Sequence, residues 1–410
     1  MIFKVNKPSK EPLKMISVTP FIQPEQASGD IRNMAVEVYK QSASLSASVR
    51  PNLKPAVEHL LRFVNSYYSN RIEGNSTEPA DIIRNKDVVL TDPVKRNDLL
   101  EIEAHLVAQA TLLEDRISLE HITDKTFLCS IHEHFFKDLP ESVRTHVRES
   151  TGATYLVEAG KLRTTQVQVG KHLPPHQDEL NGYLNWFHSS YRLDRLFGET
   201  RLLAASAAHH RFAWIHPFLD GNGRVGRLFT DSYMRGAGVD GYGLWTLSRG
   251  FARTIDEYKL RLSGADMVRQ GSTDGRGILS NRGLEAFQRY FFETCLDQIQ
   301  YLSGVLDIQS FDMRLKQYAD LRTAGVALST KGEALKKWRP ETFILLRAIM
   351  DNSRVMRTDV PKITGLGDTN SRAVVKQLIE ERWVSGETKA ALKMDQIPFD
   401  AISFLFPHLW

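Results

Sequence analysis

Apolar residues recur every three or four positions through most of the chain, and this spacing is that of amphipathic helices. The first clear run begins at Leu53, continues to Tyr68 and stops at Gly74, a residue type that often ends a helix. The same spacing predicts further helices over residues 96–115, 120–136, 175–190, 199–214, 224–236, 249–262 and 282–305. The pattern therefore predicts a mainly α fold.

One stretch of the chain alternates between apolar and polar residues. Between Leu162 and Gly170, Val167 and Val169 alternate with glutamines. Such alternation is typical of a half-exposed strand, and Gly160 favours a turn beside it. We therefore predict a small β-hairpin within the helical chain.

The pattern changes after Pro340. Helical spacing predicts three short helices, over 341–351, 357–364 and 369–382. Two extended runs follow them, with the sequences ALKMDQI and ISFLF. Three helices followed by a pair of strands is the order of a winged helix-turn-helix.

The composition is that of a soluble globular protein. Of the 410 residues, 42% are hydrophobic and 25% are charged, and the net charge of +4 is too small to indicate a nucleic-acid or membrane partner by itself. Cys129 and Cys295 are far apart, which excludes a C-x-x-C metal or redox pair. Because no run of about 18 apolar residues occurs, we expect a cytoplasmic protein that does not bind to or cross a membrane.

The densest group of polar residues and glycines is HPFLDGNGRVGR, residues 216–227. Its segment 221–226, GNGRVG, has the glycine pattern of dinucleotide-binding loops. However, the residues before it have helical spacing, and no carboxylate follows about 20 residues later. The other motifs of a kinase and the G-x-x-x-x-G-K-[ST] loop are absent from the sequence. The motif therefore indicates another kind of phosphate site.

Gly221 and Gly223 allow the backbone to approach a ligand, and the helix predicted to begin there offers free N–H groups to phosphates. Arg224 and Arg227 lie three residues apart in its first turn. Cations are unfavourable at a helix N-terminus by about 0.3 to 1 kcal/mol each unless a polyanion binds between them. The phosphates of ATP would satisfy both arginines.

Two further residues of the motif complete the chemistry. Asp220 stands just before the glycines and can supply an oxygen ligand to a Mg²⁺ ion on the phosphates. His216 can act as a general base at neutral pH. A base, a metal ligand, an anion site and two cations are a complete set for nucleotidyl or phosphoryl transfer.

These twelve residues match H-P-F-x-[D/E]-G-N-G-R-x-x-R, the signature of the Fic family, which the chain resembles over roughly residues 50 to 300. Members typically transfer AMP from ATP to a Ser, Thr or Tyr hydroxyl of a protein. The resemblance implies a Fic-type helical core in which His216 deprotonates the target hydroxyl and Asp220 holds Mg²⁺. It also implies a set of nucleotide-binding residues, namely Gly221, Asn222, Gly223, Arg224, Val225, Gly226 and Arg227. We therefore expect a protein adenylyltransferase that uses ATP and Mg²⁺.

Two other segments also resemble the family. GKLRTTQVQVG is similar to the flap, a hairpin that pairs with the target segment, so a protein substrate is expected near Thr165–Val169. LWTLSRGFARTIDEY is similar to the stretch that helps to enclose the adenosine, which implies a contact from Tyr258. Lys259 stands where relatives often have a second Tyr.

Glu73 lies in the last turn of the first predicted helix, where the helix dipole disfavours a carboxylate. Ser69, Glu73 and Gly74 match the family's inhibitory pattern [S/T]-x-x-x-E-[G/N]. Ser69 and Glu73 are four residues apart, so both face one side of a helix. The resemblance implies that Glu73 pairs with Arg227 and restrains the reaction. Removal of AMP at the same site, which some relatives perform, stays open as an alternative.

We predict four regions along the chain. They are an N-terminal arm and inhibitory-helix region over 1–95, with residues 1–30 as a surface arm; a Fic catalytic core over 96–305; a linker over 306–340; and a winged-helix-like module over 341–410.

The last module raises a second class of function, a nucleotide-sensing DNA-binding regulator. Arg372 and Lys376 lie on its presumed recognition helix. However, the module has nine Lys and Arg against nine Asp and Glu, which weakens the case for DNA. A role in protein interaction is favoured, and a homodimer is possible.

Overall fold

The computed structural model describes residues 27–79, 81, 92–115, 118–147, 152–352, 354–386 and 391–410. Most of the predicted N-terminal arm, residues 1–26, lies outside this part of the chain. The rest is mainly helical, which confirms the predicted fold class.

Twelve of the described helices precede the C-terminal module. They are α1 (Gly29–Ser48), α2 (Lys54–Ile72), α3 (Pro93–Glu114), α4 (Lys125–Phe136), α5 (Glu141–Arg144), α6 (Leu180–Tyr191), α7 (Thr200–Ile215), α8 (Asn222–Gly236), α9 (Leu247–Arg253), α10 (Ile255–Ala265), α11 (Asn281–Leu306) and α12 (Ile308–Ala324). Short 3₁₀ turns at Gln177–Glu179 and Leu193–Arg195 flank α6.

Some of the helices begin at residues whose side chains cap them. Asp92 accepts a hydrogen bond from the Val94 N–H at the start of α3, and Ser280 accepts one from the Gly283 N–H at the start of α11. The central helix is α7, which packs against α6, α8 and α11 and is buried along nearly its whole length. Its alanines and leucines allow this close packing on several sides. The motif found in the sequence follows directly after α7.

One predicted helix, over 249–262, is two helices in the structure. The break is at Thr254, whose φ of −123° is not helical and which lies between α9 and α10. Its hydroxyl donates a hydrogen bond to the Gly250 carbonyl, so it bonds to the backbone of the preceding turn.

The predicted strand over Leu162–Gly170 is wrong. The hairpin in this part of the chain lies earlier, where β1 (Thr145–Val147) pairs antiparallel with β2 (Thr154–Leu156). In the 162–170 segment the described structure contains a single antiparallel bridge, between Val169 and His172. Alternating residues form a strand only where a partner strand is available, and here no described strand lies alongside.

The module after Pro340 contains α13 (Glu341–Asp351), a 3₁₀ turn (Arg357–Asp359), α14 (Val360–Thr364), α15 (Asp368–Glu380), β3 (Val384–Ser385), β4 (Lys393–Met394) and α16 (Phe399–Leu405). The three predicted helices are therefore confirmed. In the predicted linker over 306–340, α12 is a regular helix that packs against α11 and α16.

The predicted strand ISFLF is wrong, because these residues belong largely to α16. Strand β4 pairs instead with β3, which follows α15. Pro398 precedes α16, and Ala401, Ile402 and Leu405 are buried at helical spacing along it. A short apolar run of this kind fits a buried helix as well as a strand.

Residues 407–410 pack against α2 and α9. The Tyr68 hydroxyl donates a hydrogen bond to the Leu409 carbonyl over 3.1 Å. Arg249 donates to the same carbonyl over 3.0 Å and to the His408 carbonyl over 2.6 Å. The Trp410 ring stands edge-on to Tyr67, with centroids 5.4 Å apart. The last turns of α2 are thus held by the C-terminal residues of the module.

None of the helices described in the structure is long and apolar enough to span a lipid bilayer.

Candidate functional site

A short loop, residues 216–221, connects α7 to α8 and has a defined shape. His216 ends α7 in the left-handed conformation, with φ 50° and ψ 61°. Asn222 closes the loop, because its side-chain amide donates to the Phe218 carbonyl and accepts from the Phe218 N–H. Gly221 has φ 77°, and a Cβ on it would lie 2.5 Å from the ring of Phe136. The backbone therefore requires glycine at this position.

His216 is half-buried at the start of this loop. Burial is the main cause that lowers the pKa of its imidazole, to about 4, and the neighbouring His172 and Arg163 lower it further. The side chain is therefore neutral at pH 7. A neutral imidazole can accept a proton, as a general base must.

Arg227 lies on α8 and is 3% exposed. Its Nε donates to the Ser69 hydroxyl over 2.9 Å, and one terminal nitrogen donates to the Ser69 carbonyl over 2.8 Å and to Glu73 Oε1 over 2.7 Å. The ion pair expected between Glu73 and Arg227 is thus present. Glu73 is the residue directly after α2, and its side chain is 37% exposed.

The Glu73 carboxylate also lies against Gly223. A Cβ on Gly223 would be 2.0 Å from Glu73 Oε1 and 3.2 Å from a terminal nitrogen of Arg227. Gly223 is in the first turn of α8, where the predicted phosphate site lies. The carboxylate therefore occupies space beside the N-terminus of α8, at the predicted phosphate site.

Arg224, also on α8, is 5% exposed and contacts two carboxylates. It pairs with Glu101 of α3 over 2.7 Å and with Asp220 over 3.2 Å. The guanidinium also lies over the ring of Phe135, 4.8 Å from its centroid. Burial alone would lower the pKa of Arg224, but Glu101 and Asp220 raise it above its ordinary value. Both arginines of the motif are therefore paired with acids.

Asp220 is half-buried at the end of the loop. Burial would raise the pKa of its carboxyl, but Arg224, His146 and the Gly221 N–H outweigh burial, and the pKa lies below its ordinary value. His146 of β1 approaches it to 3.7 Å. The Asp220 carboxylate is therefore ionised, and as a single carboxylate of the loop it fits a Mg²⁺ ion that would take its other ligands from phosphates and water. The described residues contain no group of three or more His, Cys, Asp or Glu that could hold a metal alone.

Three predicted nucleotide contacts lie on the core side of α8. Val225 is fully buried, and a Cβ on Gly226 would lie 3.0 Å from the Phe212 ring. Tyr258 is buried behind Arg227, stacked on Phe251 with ring centroids 4.4 Å apart. Its hydroxyl hydrogen-bonds with His209 over 2.7 Å. These residues therefore support Arg227 and the loop from the core side.

Three side chains of this site were not predicted from the sequence, namely Glu101, His146 and Arg163. Each comes from a segment distant in the chain, and each contacts the loop or an arginine of α8. Arg163 is within the segment GKLRTT, so a cation in a flap-like stretch could have drawn attention to it. Glu101 is one of several acidic residues on α3, and its sequence context does not distinguish it.

The family model described as "Fic/DOC family" matches residues 122–234, which include the loop, α7 and most of α8. The chain is 29% identical over 177 residues to a protein of Culex quinquefasciatus named "Protein adenylyltransferase Fic", covering 42% of this chain and 32% of that protein. A protein of the same name from Nematostella vectensis is 29% identical over 185 residues, covering 43% of this chain and 38% of that protein.

A Fic family protein from Desulfovibrio desulfuricans G20, known from its crystal structure, is similar over 90% of this chain and 96% of its own, with a TM-score of 0.52 and 15% identity. At this identity the likeness concerns the fold. The chain spans about a third of the length of the curated relatives above.

Proposed function

We propose that this chain, which carries a Fic/DOC domain over residues 122–234, transfers AMP from ATP to a hydroxyl group of a protein. One observation carries the proposal. A neutral His216 begins the short loop that leads into α8. On α8, Arg227 pairs with Glu73, an acid that is not part of the domain motif. The names of the relatives support AMP as the group transferred.

In this reaction His216 takes the proton from the target hydroxyl, and the hydroxyl oxygen attacks the α-phosphorus of ATP. A new P–O bond forms, the bond to the β-phosphate oxygen breaks, and pyrophosphate leaves. The left-handed conformation of His216 places the imidazole at the end of α7, next to the loop. The low pKa of His216 keeps it in the proton-accepting form at neutral pH.

The phosphates bind at the N-terminus of α8, where the backbone N–H groups after Gly221 are not used inside the helix. Arg224 and Arg227 neutralise the phosphate charge. Asp220 would hold Mg²⁺, which would neutralise phosphate charge and orient the leaving group. Arg224 keeps the Asp220 carboxylate ionised for that purpose.

Glu73 restrains the reaction. Its carboxylate takes a hydrogen bond from Arg227 and lies against Gly223, so it competes with a phosphate for both. Ser69 assists, because its hydroxyl and carbonyl accept two further hydrogen bonds from the same guanidinium. ATP must displace the Glu73 carboxylate from Arg227 before it can bind in the reactive position.

The target protein binds along the flap segment, Thr165–Val169. Thr165 is exposed and the next four residues are half-buried. The described backbone hydrogen bonds of this segment are the two that Val169 exchanges with His172. An extended peptide can therefore pair with the segment and present its hydroxyl to His216. A cytoplasmic location, a homodimer and a DNA-binding role for the module over 341–410 stay predictions.

The test uses the variant Glu73→Gly, incubated with ATP and Mg²⁺, and measures its intact mass. A gain of one AMP unit on the chain, absent in Glu73→Gly/His216→Ala, is the expected result. If neither the variant nor any added candidate target protein gains mass with ATP, AMP transfer is refuted. A gain that persists without His216 would refute its role as the base.

A further inference from the structure

A single buried arginine connects the flap segment to the loop that carries His216. Arg163 lies between Gly160 and the flap segment and is 3% exposed. Its Nε donates to the His216 carbonyl over 2.8 Å, and its terminal nitrogens donate to the carbonyls of Thr165 and Pro175. Its own backbone N–H donates to the Pro217 carbonyl over 3.0 Å. Arg163 therefore binds two consecutive peptide groups of the loop.

The burial of this cation is costly, which indicates a specific role. Among the ion pairs of the described residues, none includes Arg163, and burial lowers the pKa of its guanidinium to about 10. Backbone carbonyls are its partners on every side. A buried cation that has no acidic partner is stable only where its hydrogen bonds offset the lost hydration.

Arg163 binds peptide groups beside a residue whose backbone conformation is unfavourable. His216 is not glycine but has φ 50°, a conformation that costs of order 1 to 3 kcal/mol and persists only where its surroundings enforce it. The bonds to the His216 and Pro217 carbonyls fix the backbone on the C-terminal side of His216. The bond to the Thr165 carbonyl fixes the start of the flap segment to the same guanidinium.

We propose that Arg163 is a positioning residue that sets the distance between the flap segment and the His216 imidazole, and so aligns the target hydroxyl with the base. The role rests on the proposed transfer reaction, in which the flap segment holds the target. Arg163 does not touch the phosphate-binding residues of α8. Its loss is therefore expected to slow the chemical step and to leave ATP binding intact.

The charged and titratable groups around His216 agree with this role. They are His172, Arg163 and Asp220. The His172 ring hydrogen-bonds with the Trp214 carbonyl over 2.7 Å, and Asp220 is turned toward Arg224. Arg163 is the group among them that holds the backbone of His216.

The experiment compares Arg163→Lys with Arg144→Lys, both in full-length Glu73→Gly. Arg144, which is half-buried, is the control, because it also donates to backbone carbonyls, those of Leu139 and Val157, and is not bonded to the 216–221 loop. Lysine retains the charge in both variants but loses the fork of donors. The measured quantities are the rate of AMP labelling at saturating ATP and the ATP concentration that gives half the maximal rate.

We expect Arg163→Lys to lower the maximal rate about 10- to 100-fold, as misplacement of a base by about 1 Å does, with half-saturating ATP unchanged. Arg144→Lys should keep the parent rate. Equal rates in the two variants would overturn the inference. A fall in rate accompanied by an equal loss of ATP affinity would also overturn it, because that result indicates general loosening of the site.

A second readout does not depend on the reaction. Amide hydrogen exchange should become faster in peptides covering 164–170 and 213–219 of Arg163→Lys, and stay unchanged over 222–236. Unchanged exchange over 164–170 and 213–219 would refute the connection. If Glu73→Gly takes up no AMP, the proposed function fails, and the exchange data still decide whether Arg163 holds the loop and the flap segment together.

Discussion

Replacing Glu73 should accelerate the reaction by an amount that the structure allows us to work out. ATP must displace the Glu73 carboxylate from Arg227, at the cost of one charge-assisted hydrogen bond of 2.7 Å. Such bonds contribute about 1.5 to 3 kcal/mol. Because the Glu73 side chain is 37% exposed, solvent screens the pair, and we take the lower part of that range, about 1.5 to 2 kcal/mol. This corresponds to a factor of about 10 to 30 in rate at limiting ATP.

Two variants separate the charge of Glu73 from its size. Glu73→Gly removes both, and should give the full acceleration. Glu73→Gln keeps the length and a neutral acceptor for Arg227, whose hydrogen bond is about half as strong, so its rate should fall between wild type and Glu73→Gly.

The assay follows the mass gain of each protein over time at several ATP concentrations. The hydrogen bonds from Arg227 to Ser69 do not involve the Glu73 side chain, so we expect them in all three proteins and the comparison isolates the carboxylate. Equal rates for wild type and Glu73→Gly at every ATP concentration would refute the reasoning. A Glu73→Gln rate equal to that of wild type would show that charge is not what restrains Arg227.

Four further predictions concern His216, Gly221 and the C-terminal residues. Because the pKa of His216 is about 4, the AMP-labelling rate of Glu73→Gly should show no fall with a midpoint near pH 6.5 in a pH–rate profile. The folded pKa of His216 is lower than its unfolded value of about 6.5, so the unfolded chain binds more protons between pH 6.5 and 4. Urea unfolding should therefore show that the stability of the protein falls as pH decreases through that window. Gly221→Ala should lose AMP labelling and about 1 to 3 kcal/mol of stability, because φ is 77° at this residue and the new methyl group meets Phe136. In the control Gly304→Ala the methyl group meets no atom within 4 Å, so thermal unfolding should show a protein at least as stable as the parent. Deletion of residues 407–410 leaves the buried Arg249 without two carbonyl acceptors, and each lost acceptor costs about 1 to 3 kcal/mol of stability. The deletion should therefore lower the midpoint of thermal unfolding and speed amide exchange over residues 66–73. An unchanged midpoint would contradict this packing.

The sequence predicted the parts of the molecule whose determinants are local. Helices follow from the spacing of apolar residues, and the loop chemistry follows from twelve contiguous residues. The pairing of Glu73 with Arg227 could be predicted because both residues belong to motifs of the family that the sequence resembles. In contrast, Glu101 reaches Arg224 through the packing of α3 on α8, which no local pattern encodes.

The errors arose where a local pattern has two solutions. Alternation over 162–170 fits a strand, but the side chain of Arg163 binds the carbonyls around it, and no described strand pairs with the segment. The run ISFLF fits a strand or a short buried helix, and its burial beside α12 decides for the helix. In both cases the deciding partner is distant in sequence.

The packing of residues 407–410 on α2 has a consequence for the order of folding. Tyr68 and Leu409 are 341 positions apart, so the contact that completes the packing of α2 closes one of the longest loops in the chain. Closing such a loop costs about 5 kcal/mol of chain entropy, and contacts of this separation form late. On a ribosome, the motif loop and α8 would emerge and fold before the residues that hold the end of α2. A nascent chain would therefore contain the catalytic elements for a time without the full support of the helix that positions Glu73.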